Sequence, residues 1–253
     1  MVRGIDSFRD WFLEYQEQYA VIGGTACDLL MDHEGMDFRA TKDIDLVLIV
    51  ESVDAAFGKR LWEYVTAAGY EHINKSTGRP QFYRFSNPRS RDYPAMIELF
   101  AKKPEAITLP EDAMLVPLPI DEDISSLSAI LLNDDYYEFL KHGRIRIADV
   151  TILDALYLIP LKAKAWIDLT ARRSAGEQID SRNIRKHKND VFRLTELLTR
   201  DQQQLPFLPM AIRDDMREFT ESMRSEDIDL KQIGIRGKTK EAILDQLRAI
   251  YCP

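Results

Sequence analysis

The sequence predicts an α+β protein, in which a mixed sheet with flanking helices is followed by a mostly helical C-terminal domain. Three observations lead to this class. Helical and strand patterns alternate over about the first hundred residues, residues 44–50 are strongly apolar, as in a strand buried on both faces, and the pattern is mostly helical from near Ile124. We predict one domain over residues 1–120 and another over 121–253, because proline and acidic residues cluster between Pro110 and Ile124.

The elements of the N-terminal domain follow from the spacing of its apolar residues. Four aromatic side chains share one face of the first predicted helix, and glycine, proline and asparagine mark the later loops. The predicted elements are a helix from Asp6 to about Gln18, a strand over 19–22, a helix over 26–31, a strand over 44–50, a helix capped by Ser52, and strands over 81–85 and 96–100.

Helices dominate the second domain, apart from a short strand pattern near residues 144–147. Pro160 lies inside the first helical pattern and lacks a backbone N–H, so we expect a break or kink there. The predicted helices cover residues 154–173, 181–200, 209–224 and 240–250, the last of them capped by Thr239.

Charge and composition exclude several classes of protein. With 34 Lys and Arg against 42 Asp and Glu, the formal net charge is −8, which argues against a general nucleic-acid coat but leaves room for a local basic groove. The two cysteines, Cys27 and Cys252, have no paired spacing, so a disulfide framework and a cysteine zinc site are both unexpected. No apolar run approaches the roughly 20 residues of a membrane span, and the N-terminus lacks the apolar core of a signal peptide. These features favour a cytoplasmic protein without a membrane partner.

Two aspartates open the apolar strand at residues 43–50. Residues two apart in a strand point to the same face, so Asp43 and Asp45 present neighbouring carboxylates, while Ile44 points the other way. Two carboxylates this close repel each other unless a cation lies between them. Because oxygen ligands favour hard divalent cations, this pattern predicts a site for Mg²⁺ or Mn²⁺.

A third acid and a glycine pair extend this pattern. Glu98 is the one acid in an otherwise apolar strand, and an acid in such a setting is rarely buried unless it pairs or coordinates a metal. Gly23, Gly24 and Thr25 lie between a strand and a helix, where glycines admit a ligand and free N–H groups bind phosphate. Together, the phosphate holder and the metal ligands favour phosphoryl or nucleotidyl transfer.

Each motif also has an ordinary structural interpretation. A Gly-Gly pair before a helix is usually a turn, an Asp-x-Asp is often a solvated strand end, and a single glutamate in a strand is often an edge residue. The order of the three motifs along the chain is what favours the functional interpretation.

The ordered motifs resemble those of the nucleotidyltransferase superfamily with the polymerase β-like fold, and in finer detail the abortive-infection toxins of the AbiEii/AbiGii type. The matching runs are Gly23-Gly24-Thr25-Ala26 and Arg39-Ala40-Thr41-Lys42-Asp43-Ile44-Asp45. The resemblance implies a nucleotidyltransferase-fold sheet that transfers NMP from an NTP to an acceptor. It implies that Asp43, Asp45 and Glu98 hold the metals, and that Gly23, Gly24, Thr25 and Arg39 bind the nucleotide.

The same resemblance continues into the helical domain. Such toxins carry a lysine on a downstream helix and an aspartate one helix later, which implies catalytic roles for Lys162 and Asp190. Lys164 is the alternative candidate for the catalytic lysine, but the family's spacing between this lysine and the residue at Ala165 favours Lys162. The resemblance then implies that Lys164 binds the nucleotide. A lysine there would neutralise triphosphate charge, and the aspartate would orient it or accept a proton. The alternatives are a solvated helix face for the lysines and a surface ion pair for Asp190.

A toxin of this type implies further partners. The resemblance suggests the toxin of a toxin–antitoxin or abortive-infection system, with a tRNA or a protein as acceptor and a cognate antitoxin as partner. Basic residues cluster at 79–91, 162–173 and 182–188, and around the acidic triad they would form a positive cleft for an NTP and RNA. His142 and His187 lack metal-ligand spacing, so we expect neither to bind metal.

Two alternatives share the first motif block. One is a small-molecule nucleotidyltransferase of the antibiotic-modifying type, in which a narrow pocket would replace an RNA-sized basic groove. The other is a non-enzymatic module that binds an NTP or a partner on the same fold, and there Asp45→Asn would change little.

Overall fold

The computed structural model describes residues 2–49, 51–71, 84–100, 133–199, 205 and 207–252. The predicted boundary between Pro110 and Ile124 and the basic residue Arg79 lie outside these ranges. Within them, no helix combines the length and the apolar character needed to cross a membrane.

The chain folds as two compact units. Unit 1 draws on Met1–Ile124 and Arg144–Asp154, and unit 2 on Ser125–Gly143 and Ala155–Pro253. Unit 1 therefore contains a segment that the prediction assigned to the domain over residues 121–253.

Eight helices and six strands lie in the described parts of the chain. In chain order they are α1 (Ile5–Phe12), β1 (Tyr19–Ile22), α2 (Gly23–His33), β2 (Asp43–Leu48), α3 (Ala55–Ala68), β3 (Arg84–Ser86), β4 (Met96–Phe100), α4 (Asp134–His142), β5 (Arg144–Ile147), β6 (Val150–Leu153), α5 (Ala155–Ser174), α6 (Ser181–Leu194), α7 (Met210–Ser225) and α8 (Lys240–Tyr251). The first helix is shorter than predicted, since the chain tightens into a 3-10 turn at Leu13–Tyr15.

The six strands of unit 1 form one mixed sheet in the order β3-β4-β2-β1-β6-β5. Strand β2 pairs antiparallel with β1 and parallel with β4, while β1 pairs parallel with β6. Both β1 and β6 are buried along their whole length, as central strands covered on both faces must be. The predicted α+β class, with a mixed sheet and flanking helices, is confirmed.

The β5–β6 hairpin is the segment that the sequence prediction misplaced. Its turn residues Ala148 and Asp149 both have positive φ, at 47° and 61°. Turns of this kind usually carry Asn-Gly or Asp-Gly, so Ala-Asp gave no hairpin signal. The hairpin joins unit 1 because Val21 of β1 pairs with Ile152 of β6.

Aromatic rings from α1 and α3 pack onto β1 in the core of unit 1. The Phe8 and Phe12 rings stack at 4.7 Å, and Phe12 meets Tyr64 of α3 edge-on at 5.3 Å. Tyr19 of β1 completes the cluster at 5.4 Å from Phe8. The shared aromatic face of the predicted first helix therefore packs against the sheet that carries the carboxylates.

Helices α4 to α8 form unit 2. Helix α7 buries one face at helical spacing, where Ile212, Met216, Phe219 and Met223 are all fully buried. The Phe219 ring meets Trp166 of α5 edge-on at 5.5 Å, so α5 and α7 pack through large apolar side chains.

Helix α5 continues through Pro160 instead of ending there. Proline has no N–H to donate to the carbonyl four residues earlier, which here belongs to Leu156. The Tyr251 hydroxyl of α8 donates to that carbonyl at 2.7 Å. A side chain from another helix thus takes the place of the missing backbone donor.

We expect Tyr251→Phe to lower the free energy of unfolding by about 1 kcal/mol, because it removes one hydrogen bond from a buried ring while keeping the ring's volume. Urea unfolding followed by circular dichroism measures the change. Tyr15→Phe is the matched control, since the Tyr15 side chain is only half-buried, and it should change stability by less than about 0.5 kcal/mol. Equal effects of the two substitutions would contradict this role for Tyr251.

Candidate functional site

The two aspartates of β2 lie at the polar end of an otherwise apolar strand. Asp43 and Asp45 are half-buried, whereas Ile44 and Leu46 between and after them are fully buried. Both carboxylates therefore lie on one face of the sheet, as the alternation predicts.

Gly23 brings the backbone of α2 directly against Asp45. It is the first residue of α2, with φ of +71°, and follows Ile22, whose register partner in β2 is Asp45. A Cβ at Gly23 would lie 2.9 Å from Cγ of Asp45 and would overlap its Oδ2. Only glycine combines this backbone conformation with such a close approach. The strand-to-helix turn is therefore shaped around the Asp45 carboxylate.

A cation lies over the next residue of the same turn. A Cβ at Gly24 would be 2.9 Å from Cγ2 of Thr41 and 3.1 Å from Nη2 of Arg39. The Arg39 guanidinium also lies 5.1 Å from the centre of the Phe38 ring. The first turn of α2, where backbone N–H groups lack helical partners, thus has a guanidinium beside it.

Thr25 has a positioning role in this structure. It is fully buried, and its hydroxyl donates to the Asp43 carbonyl at 2.6 Å, with the Thr41 hydroxyl at 3.4 Å. The sequence predicts that this hydroxyl binds phosphate, but its proton is used to fix α2 to the start of β2. Thr25 therefore sets the position of Asp43.

Glu98 lies beside Asp45 on the neighbouring strand. Strands β2 and β4 are parallel, and the register pairs Asp45 with Glu98, so their side chains share a face. The Glu98 carboxylate is bonded to Arg84 of β3, whose Nε and Nη2 lie 2.7 and 2.6 Å from Oε1. The side chain of Glu98 is only 14% exposed.

The predicted triad does not form a ready metal cluster. Within the described ranges, no group of three or more His, Cys, Asp and Glu side chains is placed to hold a metal ion. Arg84 supplies the positive charge that Glu98 needs in its half-buried position. The sequence indicated Arg84 only as part of the basic stretch 79–91, since cross-strand pairing cannot be read from local spacing.

Asp28 is a further acid at this end of unit 1 that the motifs did not indicate. It lies one turn after Gly24 on α2 and is 6% exposed. Burial raises the pKa of the Asp28 carboxyl, and the charge of Arg39 opposes this rise. No sequence motif marks Asp28, because its burial depends on how α2 packs within unit 1.

In unit 2, Lys162 and Asp190 form a buried ion pair. Nζ of Lys162 lies 3.2 Å from Oδ2 of Asp190, and the two side chains are 3% and 1% exposed. The structure therefore brings these two predicted residues together. Because both side chains are buried, Lys162 does not lie on a solvated helix face and Asp190 is not in a surface ion pair.

Lys164 belongs to a different cluster of unit 2. Its Nζ lies 3.0 Å from Asp215 and 3.5 Å from Asp168, and the Tyr136 hydroxyl donates to Asp215 at 2.9 Å. Burial acts to lower the pKa of Lys164, but the hydrogen bonds and charges of the two aspartates outweigh it and raise the pKa. For the Asp168 carboxyl, burial raises the pKa, and the charge of Lys164 opposes this rise. Lys162 and Lys164 thus have separate acidic partners, as their different directions on α5 require.

The histidines and the basic stretches complete the set of predicted residues. The His142 ring stacks on Phe207 at 4.8 Å, and its Nδ1 lies 2.9 Å from the Glu138 carbonyl. In the part of the chain that the structure describes, neither His142 nor His187 belongs to a group of side chains that could hold a metal ion. The basic stretches 162–173 and 182–188 lie on α5 and α6 of unit 2, whereas Arg84, Arg89 and Arg91 lie in unit 1.

The chain was compared with protein-family models, with curated proteins and with solved structures. No protein-family model matches the chain, and no curated protein matches it. Among solved structures, the chain is similar to the crystal structure of the Megavirus polyadenylate synthase, with 15% sequence identity and a TM-score of 0.38. The match covers 88% of this chain and 36% of that chain, so this chain spans about a third of the other's length. The chemistry of the chain has to be inferred from its own residues.

Proposed function

We propose that the chain is a metal-dependent nucleotidyltransferase, which transfers NMP from an NTP to an acceptor hydroxyl in the cytoplasm. The observation that carries the proposal is the fit of the Asp45 carboxylate against Gly23 at the start of α2. This contact brings a carboxylate, which we propose as a metal ligand, beside a helix N-terminus, and such an N-terminus favours phosphate. A phosphate-binding turn and a carboxylate pair at one point are what transfer from a triphosphate needs.

The donor set of this turn fits a hard divalent cation. Asp43 and Asp45 offer only oxygen atoms, share one face of β2, and have Glu98 beside Asp45 in register. We propose that the two aspartates hold Mg²⁺ or Mn²⁺, and that Glu98 joins them when it exchanges Arg84 for metal. A bound divalent cation would neutralise triphosphate charge and favour loss of the acceptor's hydroxyl proton.

The side chains around the turn have separate tasks in this proposal. Arg39 and the N–H groups at the start of α2 bind the phosphates, because a guanidinium and a helix N-terminus both attract negative charge. Gly23 and Gly24 remain proposed nucleotide ligands through the backbone of the turn, while the space beside their Cα atoms is taken by Asp45, Thr41 and Arg39. Thr25 keeps Asp43 in position through the Asp43 carbonyl.

Lys162 and Asp190 are assigned a supporting role. In the proposal, Asp190 orients Lys162 through their 3.2 Å ion pair, and Lys162 compensates triphosphate charge. Lys164 remains a proposed nucleotide ligand, which would have to exchange Asp168 and Asp215 for phosphate.

The biological role follows from the motif resemblance alone. We propose that the chain is the toxin of a toxin–antitoxin or abortive-infection pair, with tRNA as acceptor and a cognate antitoxin as partner. The resemblance rests on Gly23-Gly24-Thr25-Ala26 and on the Arg39 to Asp45 run.

Asp45→Asn tests the enzyme proposal directly. The substitution removes a metal-binding charge with almost no change in volume, and a metal contributes several kcal/mol to such a transfer, so we expect at least about a 100-fold loss of activity. The assay follows label from α-labelled NTPs, with Mg²⁺ or Mn²⁺, into tRNA, total protein and small-molecule acceptors.

The matched control is Asp32→Asn, at an exposed acid near the end of α2, which should leave transfer unchanged. Label in small molecules alone would favour the antibiotic-modifying type over the tRNA acceptor. Wild-type protein that labels no acceptor would favour a non-enzymatic module, which binds NTP if the nucleotide raises its melting temperature and binds only a partner if it does not.

A further inference from the structure

A concentration of positive charge in unit 2 outside the basic stretches considered above is the basic loop, defined as residues 231–240. Its ten residues contain four cations and no acid, in a chain whose net charge is −8. The basic loop lies between α7 and α8 and belongs to neither the carboxylate site of unit 1 nor the Lys162–Asp190 pair.

The basic loop borders a cleft of about 1020 Å³. Apart from apolar residues and a glycine, the lining is charged. The charged residues of the lining are Asp227, Asp229, Lys231, Arg236, Lys238 and Lys240. No aromatic ring lies among the residues that line the cleft, so it offers no surface on which a base could stack.

Two of the acids around the basic loop are paired with lysines, while Asp229 accepts the Gln232 N–H at 3.1 Å. Lys188 is bonded to Glu226 at 2.7 Å, and Lys238 to Glu196 at 2.8 Å. Lys240 donates to the Glu226 carbonyl at 3.1 Å, which fixes the loop against the end of α7.

Two cations are left for a ligand. Lys231 and Arg236 are exposed and make no ion pair within the described ranges. The fixed loop therefore presents the Lys231 ammonium and the Arg236 guanidinium to a cleft whose lining has four cations and two carboxylates.

The backbone of the basic loop is also open to a ligand. Gly234 and Gly237 have φ of +87° and +75°, and a Cβ at either position would meet nothing within 4 Å. The Thr239 hydroxyl accepts from the Ala242 N–H at 3.2 Å, which fixes the start of α8. The N–H groups of residues 236–241 make no hydrogen bond to the part of the chain that the structure describes. Cations and successive free N–H groups are the donors that phosphate oxygens accept from.

We propose that this cleft binds the phosphodiester backbone of a nucleic acid. A row of phosphates suits a wide, basic, non-aromatic cleft, because backbone contacts need charge and N–H donors but no stacking. In the context of the proposed function, on which this biological role rests, the ligand is the RNA acceptor.

Fluorescence anisotropy with a labelled tRNA transcript, without NTP, tests the proposal. We expect the double variant Lys231→Glu/Arg236→Glu to bind at least about 10-fold more weakly at 0.1 M salt. The slope of log affinity against log salt should also fall by about two, since two phosphate contacts are lost. Lys59→Glu/Arg217→Glu is the matched control, because it changes the net charge equally at exposed cations outside the cleft.

Equal weakening in both double variants would overturn the proposal, because it would show a response to net charge alone. Wild-type protein that binds no tRNA would overturn it too, as would charge-dependent binding to phosphatidylserine vesicles in place of tRNA. Circular dichroism confirms that each variant is folded, and Lys231→Arg/Arg236→Lys should keep its binding. If the wild-type protein binds tRNA but transfers no NMP, only the nucleotidyltransferase proposal is refuted, since this binding assay contains no NTP.

Discussion

Asp190→Ala is expected to lower the free energy of unfolding by about 3–5 kcal/mol, because it removes the carboxylate that balances the buried Lys162 ammonium. The pair is 3.2 Å apart, and both side chains are almost inaccessible to water. A charge in such a position cannot recover its hydration, so its isolation costs more than the pair itself contributes. Equilibrium urea unfolding, followed by circular dichroism, measures the loss.

Two further variants separate charge from packing at this position. Lys162→Met/Asp190→Ala removes both charges, and we expect it to be more stable than Asp190→Ala alone. Asp214→Ala breaks the exposed Arg217–Asp214 pair, which is 2.6 Å apart with side chains 55% and 57% exposed, and should cost less than about 1 kcal/mol. A loss for Asp190→Ala no larger than that for Asp214→Ala would refute the buried-charge argument.

The double variant also reports on the catalytic role of Lys162. If Lys162 compensates triphosphate charge, a folded Lys162→Met/Asp190→Ala protein should lose NMP transfer. A folded double variant that transfers NMP at the wild-type rate would leave the pair with a structural role only.

Gly23→Ala is expected to lower the free energy of unfolding by roughly 2–5 kcal/mol and to abolish transfer as completely as Asp45→Asn does. Part of the cost is the left-handed backbone, which costs a residue with a Cβ about 1–2 kcal/mol. The rest is the overlap between the new Cβ and Oδ2 of Asp45, which forces the carboxylate or the turn to move. Urea unfolding measures the first effect and labelled-NTP transfer the second.

Gly35→Ala isolates the backbone part of this cost. Gly35 has φ of +70°, nearly the same as Gly23, but a Cβ there would meet nothing within 4 Å. Gly35→Ala should therefore cost only about 1–2 kcal/mol and leave activity intact.

Adding Asp45→Ala to Gly23→Ala should recover part of the stability, because it removes the carboxylate that the new methyl group meets. Additive effects of these two substitutions would show that Gly23 and Asp45 do not constrain each other. They would also remove the observation on which the proposed function rests.

Local periodicity was enough to predict the core of the site. The placement of Asp43 and Asp45 on one face of β2 follows from strand alternation alone, and so does the aromatic face of α1. The glycine pair between a strand and a helix was equally readable, because φ above zero and close approach leave glycine as the residue of choice.

Features that depend on distant partners could not be predicted in this way. The ion pair between Arg84 and Glu98 requires β3 to pair with β4. The hydrogen bond from the Thr25 hydroxyl to the Asp43 carbonyl, which makes this hydroxyl a positioning group, requires α2 to pack on β2. Asp190, which pairs with Lys162, and Asp215, which pairs with Lys164, lie on other helices, so spacing along α5 could rank the two lysines but not place them.

The parallel pairing of β1 with β6 has a consequence for synthesis of the protein. Val21 leaves the ribosome long before its partner Ile152, and the helix α4 of the other unit is made in between. At ordinary elongation rates, this edge of β1 stays unpaired for on the order of ten seconds. An exposed strand edge is a template for pairing with other chains, so the nascent sheet is open to aggregation or chaperone binding during that interval. A fragment that stops at residue 120 would keep this edge open permanently.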